Sequence, residues 1–420
     1  MGKPLLCLLS LILFYQAGFS QKTIKGKVII EETGKPLASV SVYLNNTSKG
    51  TVTDEQGIFR ISNVPEGKFR LVASYVGYET NVKLINTRDL PEEIILSLKP
   101  KPIDLKGIDV KLPDPLGWTK WGKLFTDIFI GTNANSIRCE LKNPEALKFR
   151  LGEDNRLIVY ANEPIRITND ALGYEISYKL EEFEYDLSSK TIIYNGYAFF
   201  KDLALSHPRK AAKWEENRKT TYQGSLLHFM RTFFVNKLDA EGFEMRSLGK
   251  ISNPEKDRAK EVFRIHKDSL IVDTTDNKEE FIFDQFGTPR AVSKSMNSKD
   301  STAYFRKALR LPDSVISHQM VLADSIGFAA DSATAGLYFR DSLEVSYKLK
   351  GIPDKYRRLS KKHLKETFPV SQFVFVNKKP VFVLGNGYYY GPYDLKITGF
   401  WAWWETMSTL LPYDYFPGKN

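Results

Sequence analysis

The chain is poor in cysteine and histidine: Cys7, Cys139 and five histidines serve 420 residues. Cys7 lies in an apolar N-terminal run that reads as a removable leader, which leaves a single thiol and excludes an internal disulfide. The cores must therefore hold by packing alone. With 42% apolar and 13% aromatic residues there is ample material for two or three domains. Blocks of five or six like charges are also missing, and 60 basic residues are interspersed with 50 acidic ones for a net charge of +10. A nucleic-acid partner is not expected from that pattern, whereas weak attraction to anionic lipid or glycan is compatible with it. Beyond the first twenty residues no apolar run approaches the roughly 20 residues of a membrane-spanning helix. Nor does the C-terminal portion show the uniform ten-residue alternation of a transmembrane barrel.

At the N-terminus Lys3 supplies a basic start, Leu5 to Phe14 an apolar stretch, and Gly18 and Ser20 the small residues a signal peptidase needs. The stretch is interrupted by Ser10 and is too short to be retained as an anchor. Residues 1–20 thus read as a cleaved signal peptide, with Gln21 first in the mature chain. Cys7 is not the acylated residue of a lipoprotein, because Leu8 to Phe14 follow it. Export to a periplasm or cell envelope, with outer-membrane association an option, is the expectation.

From residue 22 to 111 short alternating runs are separated by turn residues: Ile24 to Ile30, Ser39 to Leu44, Ile58 to Ile61, Phe69 to Val76, Asn81 to Leu84, Ile94 to Leu98 and Ile108 to Val110. That spacing predicts an antiparallel β-sandwich. The turns Thr33-Gly34-Lys35-Pro36, Asp54-Glu55-Gln56-Gly57 and Val64-Pro65-Glu66-Gly67 place glycine or proline where the backbone needs a positive or a fixed φ.

Taken in order, Gly26-Lys27-Val28, Thr33 to Leu37, Val40 to Tyr43, Gly50 to Asp54, Gly57-Ile58-Phe59, Val64 to Gly67 and Ser74 to Tyr78 resemble the carboxypeptidase regulatory-like domain, a transthyretin-like β-sandwich. The resemblance implies architecture and location more than chemistry. Such domains carry no catalytic residues of their own. They occur beside metallocarboxypeptidase domains and in envelope proteins of the Bacteroidota, often ahead of TonB-dependent receptors. A zinc carboxypeptidase would hold its metal with an H-x-x-E pair and a later histidine. His363 and Glu366 provide such a pair, but no histidine follows, and the helix expected over Asp354 to Glu366 reads as a basic surface element.

Residues 112–117 form a short linker, after which the period changes and residues 118–420 read as an α+β domain with an antiparallel sheet and a helix pair. Trp118, Trp121, Leu124, Phe125, Ile128 and Phe129 share one helical face. Strands are expected over Arg156 to Ala161, Pro164 to Thr168, Tyr174 to Tyr185 and Lys190 to Phe200, the last two as neighbours. Later ones are expected over Glu261 to His266, Glu280 to Phe286, Leu337 to Tyr347, Phe373 to Val376 and Pro380 to Leu384, with Asn377-Lys378-Lys379 as a hairpin turn.

The helix pair, Pro208 to Tyr222 and Ser225 to Leu238, carries the candidate binding residues. Trp214, Arg218 and Tyr222 recur every four residues on one face, while His228 and Arg231 project together from the side opposite the stripe Leu226, Phe229, Met230, Phe233 and Phe234. A histidine beside an arginine could receive a carboxylate or phosphate; the plainer reading pairs the arginines with acids such as Glu215 and lets His228 cap a loop. The string from Trp214 to Arg231, with Asn169 to Tyr174 and Leu411-Pro412-Tyr413, resembles a recurrent stretch in Bacteroidota proteins that join this module to an uncharacterised domain. The rings Tyr388, Tyr389, Tyr390, Tyr393, Phe400, Trp401, Trp403 and Trp404 could form a sugar platform, though Trp401, Trp404 and Leu411 have the spacing of a packing face.

No serine-hydrolase elbow, P-loop, H-E-x-x-H or C-x-x-C occurs, so no catalytic, cofactor-binding or metal set is assigned. The expectation is a non-enzymatic envelope protein that binds an envelope protein or surface polymer, with the sandwich as docking or spacer module. The alternative is a hydrolase of cell-wall peptide or glycan. Intact mass and N-terminal sequencing of the exported protein should give Gln21 as the first residue, and a retained Met1 would overturn the leader assignment.

Overall fold

The computed structural model describes residues 22–101, 113–265, 280–283, 289–292, 298–360 and 367–418. The run Ile108 to Val110, the leader, and His363 with Glu366 lie outside the described residues. The chain forms two compact units, one running up to Thr220 and resuming at Thr406, the other Thr221–Glu405. The second is thus inserted, in sequence, within the first.

The first unit opens with the sandwich: β1 (Lys22–Ile30), β2 (Ser41–Leu44), β3 (Gly50–Val52), β4 (Ile58–Val64), β5 (Lys68–Ser74), β6 (Asn81–Asn86) and β7 (Ile94–Leu98). One sheet is ordered β4-β1-β7 and the other β3-β2-β5-β6. Alternate residues of both, including Ile24, Val28, Val42, Leu44, Phe59, Leu71 and Leu96, fill one core. Every pairing is antiparallel except β1 with β7, which is parallel. A β-carbon on Gly26 would stand 2.1 Å from the Ile94 carbonyl oxygen and 2.4 Å from the Phe59 ring, so close strand approach requires glycine there. Gly57, at φ +73°, closes its turn by donating to the Asp54 carbonyl at 3.0 Å. Two details depart from the sequence pattern. Ser39 has φ 61° and stays outside β2, and the three residues of β3, too short to show a period, form a strand by pairing with β2.

The rest of this unit is an amphipathic helix and a second sheet. Helix α1 (Gly117–Phe129) buries Phe125 and Phe129, whose rings meet Phe149, Tyr178, Phe183 and Tyr194. Trp118, expected on that face, is 42% exposed and only tilts against Phe149. The sheet contains β8 (Cys139–Leu141), β9 (Leu147–Leu151), β10 (Arg156–Ala161), β11 (Ile165–Asn169), β12 (Tyr174–Asp186) and β13 (Thr191–Asp202). Long β12 pairs with β10, β11 and β13, and the expected inward stripe Tyr174, Ile176, Tyr178 and Leu180 is buried. A bulge at Glu181 lets β12 and β13 stay paired along their whole length.

The sandwich is tied to this sheet through the turn between β2 and β3. Asn46 donates its backbone N–H to the Ala198 carbonyl, Phe200 donates to Thr47, and Ala198 donates to the Asn45 side chain. Tyr43 packs on Phe199. The returning C-terminal tail covers the same turn: Tyr413 donates to the Asn46 carbonyl, and the Ser48 N–H and hydroxyl both donate to Asp414. Deeper in, Ser408 and Asn133, both wholly buried, hydrogen-bond side chain to side chain, and Asn169 donates to the Ser408 carbonyl at 3.0 Å.

The inserted unit has a five-stranded sheet ordered Ser314–Ser317, Phe243–Ser252, Ser342–Tyr347, Val370–Phe375, Leu395–Gly399, and a four-stranded one ordered Gly327–Asp331, Thr334–Leu337, Val381–Leu384, Tyr389–Tyr390. Helix α2 (Pro208–Tyr222) leads into this unit, and its first complete helix is α3 (Leu226–Phe234). Phe229, Met230 and Phe233 of α3 share a core with Phe243, Val345, Phe373, Val383 and Trp401.

Three expectations need correction. Residues expected as a strand from Glu261 fall in the helix Pro254–Ile265, because Asn253 accepts from the backbone N–H groups of Glu255 and Lys256 and Pro254 suits the first turn. The expected strand Leu337 to Tyr347 breaks into two, which join different sheets. Asn377-Lys378-Lys379 turns the chain, but Val370–Phe375 and Val381–Leu384 also enter different sheets, so the turn is a corner and not a hairpin.

Replacing Asn133 by alanine removes the acceptor of the Asn135 and Ser136 N–H groups and leaves the buried Ser408 hydroxyl with Thr406 alone, and should cost about 2 kcal/mol. Chemical denaturation of the first unit checks this, and an unchanged midpoint would show that the network is not needed.

Candidate functional site

Helix α2 is held by the turn between β11 and β12. The Trp214 Nε1–H donates to the Asp170 carbonyl at 2.8 Å, Asn217 to Ala171 at 2.8 Å, and Arg218 to Leu172 and Gly173 at 2.7 and 3.1 Å. Four consecutive carbonyls thus find donors on one face of one helix. Arg218 also forks onto both Asp202 oxygens at 2.9 and 2.8 Å and lies 3.9 Å over the Tyr174 ring. Trp214 and Arg218 are buried, and the ring sits where a β-carbon on Gly173 would be, at 2.2 Å. The partner of Arg218 is Asp202; Glu215 accepts instead from the Tyr415 hydroxyl.

Tyr222, His228 and Arg231 belong to the inserted unit, so the five candidate residues divide between the two units. His228 and Arg231, expected to project outward, are 4% and 6% exposed. His228 sits among the rings of Tyr222, Phe243 and Tyr347. Its Nδ1 accepts the Gly224 N–H at 3.2 Å and its Nε2 lies 3.4 Å from Glu241. An accepting Nδ1 requires the neutral Nε2–H tautomer when the ring is uncharged. Burial lowers the imidazole pKa to about 4, against the opposing pull of Glu241. Arg231 donates to the Asn386 carbonyl at 3.0 Å and lies 5.5 Å from the Tyr222 ring. Ser225 caps α3 by accepting the His228 N–H.

One titratable group escaped the motif search. Glu405, at the exit of the inserted unit, accepts the Leu226 N–H at the start of α3 at 2.8 Å, and burial raises its pKa to about 7 although that N–H opposes the rise. The nearby Trp401 donates its ring N–H to the Gly224 carbonyl. The entry and exit segments of the insertion are therefore stitched by Gly224 with Trp401 and by Leu226 with Glu405. No motif links positions 226 and 405, so only folding reveals the pair.

Of the C-terminal rings, Phe400, Trp401 and Trp404 are buried, Tyr388, Tyr389 and Tyr390 part-buried, and Tyr393 exposed. Cys139 is part-buried, and burial raises its thiol to about 12, a poor nucleophile. Among the described residues no three His, Cys, Asp or Glu side chains are placed to hold a metal ion.

These geometries predict the pH response of the inserted unit. His228 contributes stability present above pH 6.5 and lost as pH falls through about 4; Glu405 contributes stability present below pH 4.5 and lost as pH rises through about 7. The two slopes oppose each other between pH 4.5 and 6.5, so stability should plateau there and fall on both sides. Glu405→Gln should abolish the fall between pH 6.5 and about 7 and leave stability rising with pH from about 4 to 6.5, and His228→Gln should abolish the fall below pH 4.5 and leave stability falling from pH 4.5 to about 7. Thermal midpoints against pH decide, and parallel curves for both variants and wild type would contradict the assignment.

Residues 24–110 match the model of the CarboxypepD_reg-like domain. A TonB-dependent receptor, P39, from Formosa agariphila is 42% identical over 71 residues, which cover 17% of this chain and 6% of the receptor. The chain thus spans a small fraction of that relative. Among solved structures, a cohesin–X-dockerin complex from Acetivibrio cellulolyticus is 26% identical over 18% of this chain and 51% of that one, with TM-score 0.15. A protein of unknown function from Bacteroides fragilis is 10% identical over 86% of this chain and 93% of that one, with TM-score 0.16. Scores so low say nothing about the two units. The family match identifies residues 24–110 as a carboxypeptidase regulatory-like domain.

Proposed function

We propose that this chain is an exported envelope protein with a non-enzymatic, binding or structural role, in which the regulatory-like sandwich is the docking module. The observation that carries this reading is the engagement of the polar side chains offered as a site. Trp214 and Arg218 hold backbone carbonyls and Asp202, His228 accepts a backbone N–H, and Arg231 donates to a backbone carbonyl. All four are buried. A catalytic group needs a reacting atom within reach, and these groups are occupied by the fold. The sandwich supports the docking role because one of its sheets faces its own chain through Tyr43 and the turn after β2, while among the described residues the other takes no part in those contacts.

Cross-linking in the native envelope followed by mass spectrometry should recover the chain joined to an envelope protein or polymer, and a panel of cell-wall peptides and polysaccharides should give no turnover. Recovery only as free monomer would sink the binding role. Turnover abolished by His228→Ala or Arg231→Ala would install the hydrolase in its place.

A further inference from the structure

The outer face of the sheet β4-β1-β7 is built unlike the face that attaches the sandwich to its own chain. Its outward positions include Lys25, Lys27 and Ile29 on β1, Ile58, Arg60 and Ser62 on β4, and Ile95 and Ser97 on β7. Register places Lys25 opposite Arg60, and Lys27 between Ile58 and Ile95 in one cross-strand row. Like charges directly opposed across two strands destabilise a sheet, and none of the residues of these three strands is acidic. The acids nearest in sequence, Glu31, Asp54, Glu55 and Glu93, lie outside the strands, Glu93 directly ahead of β7. Among the described residues none of them forms an ion pair with Lys25, Lys27 or Arg60. Ile58 and Ile95 are 49% and 56% exposed between these cations.

Deepening the docking role proposed above and resting on it, we propose that this face docks on the anionic headgroup layer of a lipid bilayer. Three strands of nine, seven and five residues, about 4.8 Å apart, give a face of about 330 Å², under half of the roughly 800 Å² each partner contributes to a stable protein interface. A second copy or a folded partner would find too little area. A bilayer needs no shape complementarity. It presents many negative charges to three fixed cations while the aliphatic side chains between them enter the headgroup boundary. Lysine suits such a place because its stem lies along apolar surface while the ammonium reaches the phosphates.

The test uses the purified chain beginning at Gln21, so that the apolar leader cannot contribute, and cosedimentation with vesicles of phosphatidylcholine alone or with phosphatidylglycerol. Binding should require phosphatidylglycerol and weaken with salt. Lys25→Glu/Lys27→Glu/Arg60→Glu should lower the apparent affinity at least about tenfold. The control Arg209→Glu/Lys213→Glu/Lys219→Glu, with the same charge change on exposed positions of α2, should change it less than about threefold. Circular dichroism shows whether the variants fold, and Lys25→Gln/Lys27→Gln/Arg60→Gln, a milder change at the same positions, should reproduce most of the loss. Equal loss in the control, equal binding to phosphatidylcholine, or a dimer that the face variant dissociates would overturn the proposal. If vesicle binding is absent while envelope cross-links to a protein or polymer persist, the lipid surface is wrong and the docking role stands.

Discussion

Asn133 and Ser408 lie 275 positions apart in sequence, yet their side chains meet where neither is exposed to water. A buried amide and hydroxyl are costly without partners, so the first unit is complete only when the chain returns from its insertion and delivers Ser408 to that place. The same return lays Tyr413 and Asp414 on the turn after β2, which also pairs with Ala198 and Phe200 of β13. Sandwich, second sheet and tail are therefore one cooperative body, although the sequence presents them as a small module and a long domain. Gly131 marks the same junction, since a β-carbon there would stand 2.4 Å from the Thr406 hydroxyl.

Inserting a unit into another requires that its two ends leave near one another. Gly224 at the entry accepts from Trp401 near the exit, and Leu226 donates to Glu405 at its last residue. Gly224, at φ +75° with the Tyr347 ring 2.5 Å from where its β-carbon would stand, cannot carry a side chain without strain, and the Leu226 N–H supplies the part-buried Glu405 carboxylate with a donor. The N-terminus of α3 offers Glu405 an N–H and a favourable dipole, which offset part of the cost of burial.

Much of the local structure was legible. Period-two alternation located six of the described sandwich strands and the pair β12 and β13, and Pro208 and Ser225 marked where α2 and α3 begin. Local signals failed where tertiary context or a competing cap prevailed. The run from Glu261 alternates like a strand, but the Asn253 cap and Pro254 had already started a helix. The division into units was hidden because nothing in residues 406–416 looks different from a C-terminal tail. The candidate site was legible as a cluster of residue types and not as a function. Spacing showed that Trp214 and Arg218 share a face, but not that the carbonyls of Asp170 to Gly173 would be waiting for them.

That distinction bears on where function resides. Burial converts a polar side chain into a structural part, because the fold must satisfy it before any ligand can. Arg218 has its fork on Asp202, two further N–H groups on carbonyls and its flat face on Tyr174, so four of its five donors are taken up by the fold. Lys25 and Arg60 stand at the other extreme, exposed and set opposite one another with no internal partner among the described residues. A fold selected for stability alone gains nothing from that pair, since either position would accept an acid or a threonine at lower cost. Residues whose arrangement lowers the stability of their own sheet are where a requirement from outside the chain enters, which is the reason the sandwich face, ahead of the helix pair, is the surface proposed for docking.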